Sequence, residues 1–126
     1  MFETTFKALG EPTRLKILRL LAEQELCVCE LEEILDMSQP RVSQHLKVLK
    51  QAGLVKERRE AQRIICSFDH EALEQVFREF DIFLKVPVNE LPEFKEMYLR
   101  MVNLDENICE KKACQKKTRG IKPVRK

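Results

Sequence analysis

Between Asp36 and Phe68 the residue pattern changes its period once, and that change leaves few folds open. From Ser38 to Ala52 apolar side chains recur at helical spacing, with Val42, Leu46 and Leu49 on one face. From Leu54 onward two β-branched runs follow, 54–59 and 64–68, with Glu60-Ala61-Gln62-Arg63 as the tip of a hairpin. Gly53 lies at the junction, where a left-handed residue ends a helix without a Cβ penalty. Ser38 suits the N-cap, since its hydroxyl accepts an orphan backbone N–H, and Pro40 sits in the first turn, where a missing N–H costs little. The helix's other face carries Gln39, Arg41, Ser43, Gln44, His45 and Lys47, nearly all able to donate a hydrogen bond. A narrow apolar stripe under a donor-rich, neutral-to-positive face suits a helix pressed into a groove of double-stranded DNA.

The flanks support that reading. Val28, Leu31 and Leu35 mark a short helix joined to the Ser38 helix by Asp36-Met37, which makes a helix-turn-helix. The hairpin behind it is a wing, and Arg58, Arg59 and Arg63 would bring positive charge to the DNA backbone or minor groove. Upstream, Phe2, Phe6 and Leu9 predict a first helix ending at Gly10. Glu11-Pro12 opens a second, whose Leu15, Ile17, Leu18, Leu20 and Leu21 predict a central helix covered on most sides. Downstream, Asp69 or His70 caps a fifth helix carrying Leu73, Val76, Phe77, Phe80, Phe83 and Leu84 in one stripe. Pro92 opens a sixth, with Phe94, Met97, Tyr98, Met101 and Val102 on one face. The predicted fold is mainly α with a small β-hairpin, a winged helix-turn-helix. Residues 1–103 form the DNA-binding and dimerisation domain and 104–126 a basic flexible tail.

Charge and cysteine usage narrow the function. The 126 residues carry a net charge of only +2, which excludes a basic nucleic-acid coat protein. From Leu104 onward eight Lys/Arg face three Asp/Glu, a net of +5 that leaves the preceding residues at −3. No apolar run approaches the ~20 residues of a membrane span, and no secretion signal opens the chain, so a cytoplasmic protein without membrane contact is expected. There the five cysteines, an odd count, are free thiols, ligands or redox groups rather than structural disulfides. No Gly-rich phosphate loop and no nucleophile-plus-base arrangement points to an enzyme.

Three segments, 8–18, 25–31 and 38–55, together with the wing, resemble the ArsR/SmtB family of winged-helix metal- and metalloid-responsive repressors. The resemblance covers roughly residues 1–85, and Cys27-Val28-Cys29 points to its arsenic-responsive branch. It implies a repressor released from operator DNA when As(III) or Sb(III) binds cysteine thiolates, with no catalytic cofactor. It also implies a homodimer through the first and fifth helices, which agrees with the excess apolar surface of Phe2, Phe6, Phe77, Phe80 and Phe83. A dimer would set two recognition helices one DNA turn apart, ~34–36 Å, on an inverted repeat. Gln39, Ser43, Gln44 and His45 are the candidates for base edges, and Arg41 for guanine or phosphate. Lys47, Arg58, Arg59 and Arg63 are candidates for phosphate. The chain departs from the branch at Glu32, where arsenic-responsive members carry a third cysteine.

Trivalent arsenic and antimony are soft and prefer thiolates. Cys27 and Cys29 are two apart, a spread of about 200° on a regular helix at ~100° per residue, so both can meet one atom only if the first turn distorts or lies outside the helix. A third sulfur could come from Cys109 or Cys114 in the same or the partner subunit, since six residues beyond Asn103 reach up to ~20 Å. Alternatively these two form a disulfide or a two-thiol site of their own. Cys66 lies in a strand and reads as a small buried side chain. Two further functions fit the thiols: a winged-helix repressor that senses oxidants, or a metalloid-binding thiol protein that does not bind DNA.

Overall fold

A computed structural model describes residues 2–112. The described chain divides into two compact units, one ending at Lys85 and a second beginning at Val86. In the first, helices α1 (Phe2–Leu9) and α2 (Pro12–Glu23) precede a two-residue strand β1 (Leu26–Cys27). Then come α3 (Val28–Leu35), α4 (Gln39–Gln51), strands β2 (Val55–Glu60) and β3 (Arg63–Phe68), and α5 (His70–Lys85). The three strands form one antiparallel sheet in the order β1-β3-β2. This is the expected winged helix-turn-helix, with one strand more than the sequence pattern announced.

Local chemistry sets the element ends. Glu11 caps α2, its carboxylate accepting the Arg14 backbone N–H at 3.0 Å, with Pro12 as the first helical residue. Arg14 in turn closes α1: its guanidinium donates to the Ala8 carbonyl at 2.7 Å and the Lys7 carbonyl at 3.2 Å. Those are among the carbonyls that the end of α1 leaves without helical partners. Ser38 caps α4, accepting from the Arg41 N–H at 3.4 Å. At the other end Gly53 has φ +78°; its N–H donates to the Lys50 carbonyl at 2.9 Å, and that of Leu54 to the Leu49 carbonyl at 3.0 Å. This is a Schellman motif, and its apolar pair, Leu49 and Leu54, is fully buried. Asp69 rather than His70 caps α5, accepting the Ala72 N–H at 3.1 Å.

The core lies where α1–α4 meet the sheet. Ala8, Ile17, Leu21, Leu31, Val42, Leu46, Leu49 and Leu54 are all buried, joined by Leu26, Val55 and Cys66 from the strands. Each large side chain there contributes about 1.5–3 kcal/mol of burial. α2 is covered on one side only, contrary to the sequence expectation: Ile17, Leu18 and Leu21 are buried but Leu15 is 50% exposed. Leu15 falls on the face it shares with Lys16, Arg19 and Ala22, all exposed. α5 buries no residue fully. Its Phe80 and Phe83 meet Phe2 at ring-centroid distances of 5.4 and 5.2 Å, and Phe80 meets Phe6 at 4.9 Å. Phe77, Ile82 and Leu84 remain more than half exposed.

The second unit holds two short 3-10 turns, Val88–Glu90 and Pro92–Phe94, then α6 (Lys95–Val102) and the four-residue α7 (Ile108–Lys111). The turn at Pro92 delays the sixth helix to Lys95, and α7 lies in the stretch expected to be tail. No described helix is long and apolar enough to cross a membrane.

Candidate functional site

Cys27 ends β1 and serves as N-cap of α3, with extended backbone at φ −84°, ψ 165°. Its N–H donates to the Glu30 carboxylate at 2.8 Å, half of a reciprocal capping box. Cys29 lies inside the first turn of α3. Because Cys27 stands outside the helix, the 200° divergence of a regular helix does not apply, and the two sulfurs approach to 3.0 Å. Cys27 is 2% exposed while Cys29 is open to solvent. A thiol–thiol hydrogen bond splits their acidities. Donation from Cys29 pulls Cys27 below the ordinary thiol value, with a smaller contribution from Arg63, and the same bond raises Cys29.

The sulfurs open into a shallow cavity of about 210 Å³. Val28 and Ile64 supply apolar wall, and Glu32, Gln39, Gln62 and Arg63 complete the lining. Gln39 is the first residue of α4, and Gln62 and Arg63 belong to the turn of the wing and the strand it starts. The thiol pair therefore abuts both elements proposed to meet DNA. Among the described residues no group of three His, Cys, Asp or Glu side chains is placed to hold a metal ion. Cys66 is fully buried in β3, and burial pushes its thiol up to about 11, as suits a core residue. Cys109 is exposed on α7 in the second unit. Cys114, and the tail from residue 113, lie outside the described residues.

On α4, Gln39, Arg41, Gln44 and Lys47 are exposed and Ser43 partly so, its hydroxyl accepting from the Gln39 amide at 2.7 Å. His45 is turned inward: its Nδ1 lies 3.4 Å from the Arg14 guanidinium and 3.9 Å from the Glu11 carboxylate, and its side chain is 16% exposed. Arg59 and Arg63 are exposed on the wing. Arg58 is engaged by Glu25, which takes two parallel hydrogen bonds at 2.9 and 3.0 Å, and by Glu60 at 3.0 Å. The arginine holds the Glu25 carboxyl below its usual range. This clamp fastens the wing to the residues just before β1. Sequence reasoning missed it, along with β1 and the cavity residues Gln62 and Ile64, because each depends on a partner distant along the chain.

The profile described as bacterial regulatory protein, arsR family, matches residues 11–57. Over 56 residues the chain is 55% identical to an uncharacterised helix-turn-helix-type transcriptional regulator of Methanocaldococcus jannaschii, covering 44% of this chain and 63% of that one. It is 39% identical over 79 residues to the arsenical resistance operon repressor of Staphylococcus xylosus, covering 63% of this chain and 76% of the relative. The chain thus spans less than two thirds of the first relative's length and about three quarters of the second's. Among solved structures, one titled a possible transcriptional regulator for arsenical resistance superposes with a TM-score of 0.56 at 32% identity, covering 69% of this chain and 91% of that one. The caps, the helix-turn-helix, the wing and these likenesses agree: the chain belongs to the ArsR family of winged-helix regulatory proteins, which are transcriptional regulators and not enzymes.

Proposed function

We propose that this protein is a cytoplasmic transcriptional repressor that binds an inverted-repeat operator as a homodimer and leaves it when As(III) or Sb(III) binds Cys27 and Cys29. The observation that carries the reading is the 3.0 Å approach of two thiols at the start of the helix-turn-helix. Two sulfurs that close can share one soft ion. Drawing them onto it strains the junction of β1 and α3, whose cavity is lined by Gln39 and Arg63. For an inorganic ion, Cys109 or Cys114 of either subunit is the source of a third thiolate. Gln39, Ser43 and Gln44 read base edges, Arg41 reads guanine or holds phosphate, and Lys47, Arg59 and Arg63 hold phosphate. His45 supports α4 from the side of α2, and Arg58 reaches phosphate only by leaving Glu25 and Glu60.

A coupling free energy of about 1–3 kcal/mol between ion and DNA suffices for release. Titrating arsenite into the protein on its own upstream DNA is expected to dissociate the wild-type complex but not Cys27→Ser or Cys29→Ser. A normal response of the double variant refutes the assignment. The same thiol approach supports a second reading, in which an oxidant joins the pair and relieves repression; release by peroxide but not by arsenite would select it. Failure to bind any upstream DNA would leave a metalloid-binding thiol protein.

A further inference from the structure

Of the three arginines on the wing, Arg58 alone is held by carboxylates among the described residues. Its Nη1 and Nη2 donate to the two oxygens of Glu25 at 3.0 and 2.9 Å, and its Nε donates to Glu60 at 3.0 Å. We propose that Glu25 is an internal substitute for DNA phosphate: it occupies the Arg58 fork in the free protein, and the operator backbone must displace it. The assignment rests on the repressor reading and names a residue that sets the strength of its DNA contact.

The sheet puts this exchange in the right place. Side chains alternate along a strand, and the register pairs Arg58 with Ile65, Glu60 with Arg63 and Cys27 with Ile65. Arg58, Glu60, Arg63 and Cys27 therefore share one face. Arg58, on β2, reaches past the middle strand β3 to Glu25, which lies one residue before β1. On that face Arg63 lines a cavity together with Gln39, the first residue of the recognition helix. A guanidinium fork takes carboxylate and phosphate in the same bidentate way. Two carboxylates against one guanidinium also leave a surplus negative charge on the wing, which repels phosphate while the clamp is closed. Both Glu25 and Arg58 are half-exposed, so solvent screens their attraction and the pair opens at small cost. The operator is thus bound less tightly than the wing's arginines allow, and Glu25 stays beside Arg58 to reclaim it.

The test follows the full chain on its own upstream DNA by fluorescence anisotropy, at low and at high salt. Glu25→Gln keeps the shape of the side chain and removes its charge. It is expected to bind about 5-fold tighter at low salt, the upper range for release of an exposed ion pair. The gain should shrink as salt screens the wild-type pair. Glu60→Gln frees one hydrogen bond rather than two and should tighten binding less. With Arg58→Ala in both chains, the gain from Glu25→Gln should fall by about half or more, because the two residues act through each other. Phosphate ethylation interference on the Glu25→Gln complex should show a contact that Arg58→Ala erases. Thermal melts confirm that the variants are folded, and Glu60→Gln decides alone if Glu25→Gln is not. No tightening in the folded variants, a gain that persists in full without Arg58, or an interference pattern that Arg58→Ala leaves unchanged overturns this proposal alone. Failure of the wild type to bind any upstream DNA sinks the repressor reading and this proposal with it.

Discussion

Helices α4 and α5 carry similar apolar stripes and meet opposite fates. In α4, Val42, Leu46 and Leu49 are at most 1% exposed, enclosed by the other helices and the wing strands of the same chain. In α5 no residue is buried, and three large apolar side chains are more than half exposed although Phe80 and Phe83 have found Phe2. The period of a stripe shows which face must be covered but not who covers it. One helix is finished by its own fold; the other is left with surface for a partner, which the proposed dimer would supply.

The largest test of that contrast is Leu46→Ala. A cavity in the finished core should cost about 2–5 kcal/mol, read as a lower urea midpoint. A loss under 1 kcal/mol would mean α4 is less enclosed than its burial implies. Phe77→Asp should instead leave the far-ultraviolet helical signal of the folded chain intact and weaken self-association by about 2 kcal/mol or more, as loss of an interface anchor does. Sedimentation over a range of protein concentrations checks it, and unchanged association would move the dimer contact elsewhere. Ser38→Ala removes the cap that starts α4 and should cost about 1 kcal/mol. The smallest effect concerns the cap of α5. The Ala72 N–H holds the Asp69 carboxyl below the 3.8 of an unperturbed aspartate. Its contribution to stability is therefore complete above that value and is lost as pH falls through the lower folded-state value. Asp69→Asn should flatten that acid limb in a pH series of thermal melts, and an unchanged limb would assign the acid loss to other carboxylates.

Most of the frame was legible in the sequence because its signals are local. Ser38 as a cap, Gly53 as a stop and the change of period after it need only neighbouring residues. The site was half legible. Cys27 and Cys29 announced themselves as a pair, but their spacing on a regular helix predicts divergence. What brings them together is the extended backbone of Cys27, held by pairing with Ile65, 38 positions on. Arg58 read as a phosphate contact because its charge is visible in the sequence while its partner Glu25, 33 residues away, is not. His45 read as a DNA contact or a helix-packing residue, because its period places it beside the exposed donors. Only the folded chain shows that Arg14 and Glu11 occupy its side of the helix.

β1 is the smallest element of the first unit, yet it joins the thiol pair to the sheet of the wing. It is tied to β3 by two register pairs alone, Leu26 with Cys66 and Cys27 with Ile65. The ladder contributes about 1 kcal/mol net per hydrogen bond, and the buried Leu26 and Cys27 side chains hold the strand to the core besides. The same two residues that place Cys27 beside Cys29 therefore join the start of the helix-turn-helix to β3, and β3 carries the wing.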